Sequence, residues 1–243
     1  MTESIVFKEG KGISLTIEAY LPEKKIGKGL LFYYGGGWMN DNRFRFRPFA
    51  EELAANGYVV FLPQYRVYNQ HYVQPKEELE DVADGIIFVY QHLLKQYGIA
   101  SDQVAWGGSS AGAHLVLCAA LLEPYRSRIG FNAKKMVLFN PVCCSHSLTG
   151  WVYKKCGERF DFEGICPLHD IQETGPAILA FHGSEDEIAP FGDMEQFSEK
   201  YEQLGGVCKV KRYEGRSHGF WLPERSRMDY CDTLSCMNRF LKE

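Results

Sequence analysis

Short apolar runs alternate with longer amphipathic stretches along most of the chain. The apolar runs have the length and the β-branched and aromatic content that buried strands favour. They predict strands at 13–20, 29–34, 58–63, 103–106, 136–140, 177–182 and 207–213. Several of the stretches between them have the three- and four-residue spacing of apolar positions that is typical of helices.

The clearest amphipathic stretch spans residues 76–97, where the apolar residues lie on one face of a predicted helix. Pro75 precedes it and Gly98 follows it, as helix boundaries favour. Further helices are predicted after residue 110, at 191–204 and at 229–241. This alternation predicts an α/β fold, a doubly wound and mostly parallel sheet with helices on both faces. Since 243 residues with 45% hydrophobic content suit one large domain, we expect a single domain over 1–243.

A glycine-rich turn links one predicted strand to a predicted helix and carries a candidate nucleophile. Its sequence, GGSSAG at 107–112, contains the pattern G-x-S-x-G. Gly108 and Gly112 permit the sharp, strained turn that lifts a serine Oγ clear of the backbone, and Ser110 is the serine so placed. The pattern alone also arises by chance in a chain with 24 glycines, so its weight depends on the other parts of a catalytic set.

Three consecutive glycines follow the predicted strand 29–34. Backbone N–H groups in such a loop can turn toward a developing oxyanion. The N–H groups of Gly36 and Gly37, together with that of Ala111 after the candidate nucleophile, are predicted to form an oxyanion hole. Trp38, the next residue, is expected to bind substrate by enclosing the acyl pocket. By itself, a run of three glycines favours a simple flexible turn.

An acidic loop and a late histidine supply the remaining chemistry. A base histidine needs a carboxylate that holds its tautomer and stabilises its imidazolium form. Asp186 is the preferred acid, Glu185 and Glu187 are the alternatives, and a solvated acidic loop is the non-catalytic explanation. His218 is the only histidine beyond this loop. The order Ser110, Asp186, His218 is the one that distinguishes the α/β-hydrolase architecture from other serine-hydrolase folds.

Four motifs in this order, YGGGW at 34–38, GGSSAG at 107–112, HGSEDEIAP at 182–190 and SHGF at 217–220, extend over most of the chain. Through them the chain resembles the α/β-hydrolase superfamily, and more narrowly its hormone-sensitive-lipase-like and carbohydrate-acetyl-esterase-like branch. In this family the HGxxD loop supplies the acid, which matches Asp186. The late histidine loop supplies the base, which matches His218.

Two features depart from the family pattern. Many relatives carry histidine before the three glycines, where this chain has Tyr34, so the role of that residue in bracing the loop stays open. Many lipase-like relatives also carry a long N-terminal cap. Only residues 1–34 precede the glycines here, so we expect a pocket suited to short acyl groups.

The least regular stretch, 142–174, lies where family members often place a small lid or pocket wall. Such long loops are more often functional or mobile than inert. The aromatic residues Trp151, Tyr153, Phe160 and Phe162 are therefore candidates to line the acyl or leaving-group site. The alternative is a surface excursion with its own small apolar cluster.

Charge and composition exclude several classes of function. A net charge of −4 and a pI near 6.0 provide no broad basic field for nucleic acid. The N-terminus has no signal-peptide pattern and no apolar run has transmembrane length, so we expect a cytoplasmic protein without a membrane partner. The eight cysteines show no C-x-x-C pair and no Cys/His spacing typical of zinc. We therefore expect reduced thiols, no metal and no cofactor.

The sequence thus predicts a serine carboxylesterase that hydrolyses short-chain, chiefly acetyl, esters through an acyl-enzyme. From the resemblance, an acetylated sugar is the leading specific substrate. A serine peptidase or thioesterase of the same fold is the alternative. A non-catalytic ligand-binding protein of this fold is disfavoured, because such proteins typically lack a triad member. The sequence leaves the natural alcohol and the oligomeric state open.

Overall fold

In the computed structural model of the chain, which describes residues 1–10, 12–144 and 160–243, eight strands form one sheet. The strands are β1 Thr2–Gly10, β2 Ile13–Tyr20, β3 Gly29–Tyr33, β4 Val59–Pro63, β5 Val104–Ser109, β6 Lys135–Phe139, β7 Ala177–Gly183 and β8 Cys208–Tyr213. Their order across the sheet is β1-β2-β4-β3-β5-β6-β7-β8. All seven predicted strands are present, with bounds that shift by at most three residues.

The sheet is parallel from β4 to β8, and β2 pairs antiparallel with both β1 and β4. The mostly parallel, doubly wound fold is thus confirmed. Strand β1 was not predicted from the sequence. Its residues are exposed or half-buried throughout, so it lacks the apolar run by which the other strands were recognised.

The helices follow the predicted alternation. They are α1 Arg47–Ala55, α2 Tyr68–His71, α3 Pro75–Phe88, α4 Leu94–Tyr97, α5 Ala111–Leu121, α6 Tyr125–Ile129, α7 Pro167–Asp170, α8 Phe191–Gln203 and α9 Arg227–Lys242. The predicted helix at 76–97 is interrupted by a π-helical turn, Val89–Leu93, between α3 and α4. Pro75 is the first residue of α3 and Gly98 follows the end of α4, as predicted. The structure adds that Gly98 has the left-handed conformation.

Two apolar layers cover the sheet, because alternate side chains of a strand point to opposite faces. In β3, Leu31 and Tyr33 belong to the layer shared with α3, α5 and α8, whereas Leu30 and Phe32 belong to the layer shared with α1 and α9. Helix α5 is buried along its whole length. The helix that follows Ser110 is therefore held in place by the core.

The predicted lid or pocket wall at 142–174 lies only partly within the described residues. Trp151 and Tyr153 lie outside them. Phe160 and Phe162 are described, and both are buried. Across the described ranges, no helix combines the length and the apolar character needed to cross a membrane.

Candidate active site

The predicted site residues meet at one edge of the sheet. Strands β3, β5, β6, β7 and β8 are parallel neighbours, so their carboxyl ends lie side by side. The residues that directly follow or lie just beyond these ends are Gly35 to Gly37, Ser110, Asn140, Asp186 and His218, in the order of the five strands. The topology thus brings together groups that are up to 183 positions apart in the chain.

Ser110 occupies a strained turn between β5 and α5. Its φ of +51° lies in a region that residues with a side chain rarely adopt. The turn is tight: a Cβ on Gly112 would lie 2.1 Å from the carbonyl oxygen of Tyr34, and one on Gly108 would lie 2.7 Å from the backbone of Gly112. Glycine at both positions is required for this close approach. The strain holds the serine Oγ out at the sheet edge, as the G-x-S-x-G pattern predicts.

A continuous hydrogen-bonded chain joins Ser110, His218 and Asp186. The Oγ of Ser110 lies 3.0 Å from Nε2 of His218. On the other side of the ring, Nδ1 lies 2.8 Å and 3.0 Å from the two carboxylate oxygens of Asp186. The side chain of Asp186 has no exposed surface, whereas that of His218 is 16% exposed. The imidazole therefore bridges a buried carboxylate and a serine that faces a cavity.

The surroundings of Asp186 keep its carboxylate ionised. Burial by itself raises the pKa of this carboxyl, but hydrogen bonds from His182 and His218 and from the amide of Ala189 outweigh it and hold the pKa well below its usual range. Oδ1 accepts from the amides of Ile188 and Ala189 at 3.0 and 2.9 Å. An ionised carboxylate only accepts hydrogen bonds.

This ionisation fixes the tautomer of His218. Because Asp186 cannot donate, the proton between the two groups resides on Nδ1 of the imidazole. Nε2 then carries a lone pair and accepts the hydrogen bond of the Ser110 hydroxyl. The arrangement can remove the serine proton as the Oγ attacks an electrophile.

The glycine loop packs directly against the serine turn. The amide of Gly35 donates to Oγ of Ser109 at 3.0 Å. Gly36 and Gly37 line the cavity in front of Ser110, and Gly37 has a positive φ of 61°. Ala111 is the first residue of α5, where amides have no partner within the helix. The three predicted donors therefore belong to segments that flank the serine.

Tyr34 takes part in a reciprocal contact beneath this loop. Its hydroxyl donates to the carbonyl of Tyr65 at 3.1 Å, and the Tyr65 hydroxyl donates to the carbonyl of Tyr34 at 2.7 Å. The two rings are stacked with their centroids 4.4 Å apart. Tyr34 thus anchors the start of the glycine loop to the segment after β4.

A cavity of about 350 Å³ opens in front of Ser110 and His218. Its lining includes the apolar side chains of Phe46, Phe139, Val142, Ile188, Trp221 and Leu222. It also includes the polar side chains of Asn40, Asn42, Arg45, Glu187 and Arg225. Arg225 also donates to the backbone carbonyl of His218 at 2.7 Å and so supports the histidine loop.

Trp38 lies in the cavity wall but is almost entirely buried. Its ring packs edge-on against Phe162, with centroids 4.8 Å apart, and against His114, at 5.3 Å. Phe160 and Phe162 are absent from the described lining of the cavity and contact Trp38 from behind. In the described part of 142–174, these aromatic residues therefore support the wall, and Val142 is the residue that reaches the cavity.

Sequence reasoning missed three residues that organise the site. Asn140 donates to Oδ2 of Asp186 at 2.7 Å and accepts from the amide of Gly219 at 3.3 Å, so it links the acid loop to the histidine loop. His182, fully buried, lies 3.3 Å from the Asp186 carboxylate. Ser109 ties the glycine loop to the serine turn. Asn140 and His182 each lie at the carboxyl end of a predicted strand, a signal that could have marked them.

Away from this cavity, the described residues include a group that could hold a metal ion. The side-chain donors of Cys144, Cys166 and His169 all lie within 4.8 Å of one another. The expectation of no metal rested on the absence of C-x-x-C pairs and of Cys/His spacing typical of zinc. The fold brings Cys144 close to Cys166 and His169, which lie more than twenty positions further along the chain.

Two family models match the chain. The BD-FAE model matches residues 17–143, which contain the glycine loop and the serine turn. The model of the dienelactone hydrolase family matches residues 162–242, which contain the acid and histidine loops. This chain belongs to the BD-FAE family. The assignment agrees with the α/β-hydrolase branch that the four motifs indicate.

Solved structures and curated proteins extend the BD-FAE assignment. Esterase 2 of Thermogutta terrifontis, phosphonylated by sarin, is 27% identical with a TM-score of 0.90, and the match covers 99% of this chain and 94% of that one. The butyrate-bound form of that esterase has a TM-score of 0.85, at 27% identity over 99% and 93% of the two chains. Fold and family together classify this BD-FAE chain among the esterase-type α/β-hydrolases.

A curated relative is the probable isoprenylcysteine alpha-carbonyl methylesterase of Oryza sativa subsp. japonica. It is 25% identical over 230 residues, which cover 83% of this chain and 54% of the relative. The chain therefore spans about half the length of this methylesterase.

Proposed function

We propose that this protein is a serine carboxylesterase with Ser110 as nucleophile, His218 as general base and Asp186 as the acid that orients the base. The observation that carries the proposal is the chain of contacts from Asp186 through His218 to Ser110, with separations of 2.8 and 3.0 Å. These are hydrogen-bond distances, so proton transfer from the serine requires no rearrangement of the triad.

The reaction follows from this geometry. Ser110 Oγ attacks the ester carbonyl while Nε2 of His218 takes the serine proton, and the carbonyl oxygen becomes an oxyanion. Amides of Gly36, Gly37 and Ala111 stabilise that charge. The imidazolium then gives its proton to the departing alcohol, which leaves an acyl-enzyme. Water, deprotonated by the same imidazole, attacks the acyl-enzyme and releases the carboxylic acid.

Short acyl chains fit the space available. The described residues leave a cavity of about 350 Å³, close to the lower limit for ligand pockets, and the acyl and alcohol parts share it. Each methylene adds about 0.8 kcal/mol only while it finds apolar cover. Propionate and butyrate are bound in structures of the Thermogutta terrifontis esterase, which supports the same size range here.

A panel of p-nitrophenyl esters from acetyl to decanoyl tests the size of the acyl group. We expect kcat/KM to be highest from acetyl to butyryl and to fall for longer chains, because extra methylenes meet the cavity wall. A profile that rises through decanoyl would contradict the small pocket. It would instead favour a lipase-like lid formed by residues 142–174.

An acetylated sugar is the proposed class of natural substrate. The polar part of the cavity wall presents two asparagines, two arginines and one glutamate, which suit an alcohol with many hydroxyl groups. With acetylated xylo-oligosaccharides as substrate, Asn42→Ala is expected to raise KM several-fold. The same substitution should leave KM for p-nitrophenyl acetate unchanged. An equal effect on both substrates would place Asn42 outside the alcohol site.

A thioesterase activity of the same residues is the second candidate. The acyl-protein thioesterase 1 of Kluyveromyces lactis is 23% identical to this chain over 177 residues, and this similarity supports thioesterase activity as a candidate. Comparing an acetyl thioester with an oxygen ester of matched leaving-group acidity distinguishes the two activities. We expect the oxygen ester to have the higher kcat/KM.

A further inference from the structure

Two buried thiols and an imidazole converge at a point outside the described lining of the catalytic cavity. Cys144 lies five residues beyond the end of β6, and Cys166 immediately precedes α7, on which His169 lies. Both cysteines are buried, whereas His169 is exposed, so the group has one side open to solvent. The mechanism proposed above uses none of these three residues.

The separation of the donor atoms matches metal coordination. Sγ of Cys144 lies 3.5 Å from Nε2 of His169, and all three donors lie within 4.8 Å of one another. In tetrahedral zinc sites with Zn–S of about 2.3 Å and Zn–N of about 2.0 Å, sulfur and nitrogen ligands lie about 3.5 Å apart. An ion could therefore contact all three donors after side-chain movements of about 1 Å.

The backbone around the group is already held in place. Cys143 presents its carbonyl oxygen to the amide of Leu168 at 2.9 Å, which fixes the chain next to Cys144 against α7. The carboxylate of Asp170 accepts from the amide of Cys166 at 2.7 Å. Lys200, on α8, donates to the carbonyl of His169 at 3.0 Å. Because these bonds order the segments, little conformational entropy remains to be lost when an ion binds.

We propose that Cys144, Cys166 and His169 form a Zn²⁺ site that holds α7 against the segment after β6. Thiolate and imidazole ligands select zinc over the hard cations Mg²⁺ and Ca²⁺. Each thiol loses its proton to become a ligand and the imidazole binds in its neutral form, so one Zn²⁺ releases two protons. With three protein ligands, the fourth position of a tetrahedral ion would be open to water on the exposed side, where His169 lies.

The site would act on the catalytic cavity through Val142. This residue lines the cavity and lies two positions before Cys144. A bound ion would link Cys144 to Cys166 and His169. We therefore assign the ion a structural role in the cavity wall, with no part in the attack on the ester.

Metal titration of the full chain tests the proposal. Protein stripped with a chelator is titrated with Zn²⁺ against a chromophoric competitor, and with Cd²⁺ as a spectroscopic probe of thiolate ligation. We expect one ion per chain, a thiolate-to-cadmium absorption band and the release of two protons per Zn²⁺, measured calorimetrically in buffers of different ionisation enthalpy.

Single-residue variants test whether these three residues, and not other cysteines of the chain, bind Zn²⁺. His169→Gln changes an exposed side chain and should leave the fold intact, so it is the primary variant, and Cys144→Ser is the second. Each should weaken Zn²⁺ binding by more than the roughly 10- to 100-fold that changes outside the ligand shell cause. Cys208→Ser, at a buried thiol outside the group, and Cys231→Ser, at an exposed one, are the controls and should bind as the parent does.

Two results would overturn the assignment. One is Zn²⁺ affinity that is unchanged in both His169→Gln and Cys144→Ser. The other is an equal loss in either control, which would place the ion elsewhere. Esterase activity does not enter this readout, so the metal proposal can fail while the proposed function holds, and the reverse is also true.

Discussion

Ser110 is the residue on which the proposed chemistry depends, and its environment explains why the neighbouring serine cannot replace it. Ser109 is the last residue of β5, and its Oγ accepts the amide of Gly35. Of the two serines, Ser110 is the one whose Oγ contacts the imidazole of His218. The two adjacent hydroxyls therefore have different partners: Ser109 contacts the glycine loop, and Ser110 contacts the proposed base.

Replacing Ser110 should remove the activity. A fluorophosphonate probe is expected to label Ser110, and Ser110→Ala should lower kcat by at least about 10³-fold, because the variant lacks the proposed nucleophile. Peptide mass spectrometry locates the label. Ser109→Ala is the matched control and should keep the label at Ser110 with a smaller loss of kcat. Labelling at Ser109, with activity retained in Ser110→Ala, would contradict the assignment.

The three acids of one loop provide a second test at this scale. Asp186→Asn should lower kcat by about 10⁴-fold, because an amide facing Nδ1 favours the wrong tautomer of His218. Glu185→Gln and Glu187→Gln keep the same loop and should change kcat by less than about tenfold. Steady-state kinetics on p-nitrophenyl acetate measure all three. Severe loss at Glu185 with Asp186→Asn nearly active would move the acid one residue upstream.

At the scale of the elements, the serine turn and the glycine loop behave as one unit. The backbone of Gly112 in α5 packs against the end of β3 so closely that no side chain fits between them. This contact sets the distance between Ser110 and the proposed oxyanion donors, and it depends on two segments more than seventy residues apart.

Gly112→Ala should therefore damage catalysis and stability together. Its Cβ would lie 2.1 Å from the Tyr34 carbonyl oxygen, so β3 and α5 must separate and the oxyanion donors move with them. We expect a fall of at least about tenfold in kcat and a lower Tm. Gly192→Ala, in α8 with nothing within 4 Å of its Cβ, is the matched control. It should keep full activity with unchanged or slightly raised Tm. Equal behaviour of the two variants would refute the close packing.

At the scale of the whole molecule, a buried histidine makes stability depend on pH. Burial lowers the pKa of His114 in α5 to about 4, although its hydrogen bond to the carbonyl of Ile165 acts in the opposite direction. The unfolded chain binds this proton near pH 6.5 and the native chain only near pH 4. The stability that the neutral His114 contributes is thus fully present above pH 6.5 and is lost as the pH falls toward 4.

The expected loss is about 3 kcal/mol in the free energy of unfolding between pH 7 and pH 4. Urea titrations across this range measure it. His114→Gln removes the titrating group and keeps a donor for the carbonyl of Ile165. The free energy of unfolding of this variant should therefore fall by about 3 kcal/mol less than that of the parent chain between pH 7 and pH 4. His92→Gln, at an exposed histidine, should follow the parent chain. If His114→Gln and the parent show the same pH dependence, the native chain protonates His114 near the usual pH.

The sequence by itself determined the class of fold and the candidate triad. Long apolar runs and glycine-flanked motifs are local signals, so seven strands, the amphipathic helix and the family assignment were recoverable from them. The roles of Ser110, Asp186 and His218 stay predictions until they are tested, although the fold brings the three side chains into contact. Strand β1 was not predicted, because its residues are exposed or half-buried and include no apolar run.

Only the tertiary structure decided what depends on contacts between distant segments. The link that Asn140 makes between the acid and histidine loops exists because β6 lies between β5 and β7, and pairing order is invisible in local patterns. Contacts between distant segments also decide two other features. They turn the ring of Trp38 inward against Phe162, and they bring Cys144 next to His169. Local spacing records which residues lie near one another along the chain, whereas packing of both faces of the sheet selects which distant residues meet.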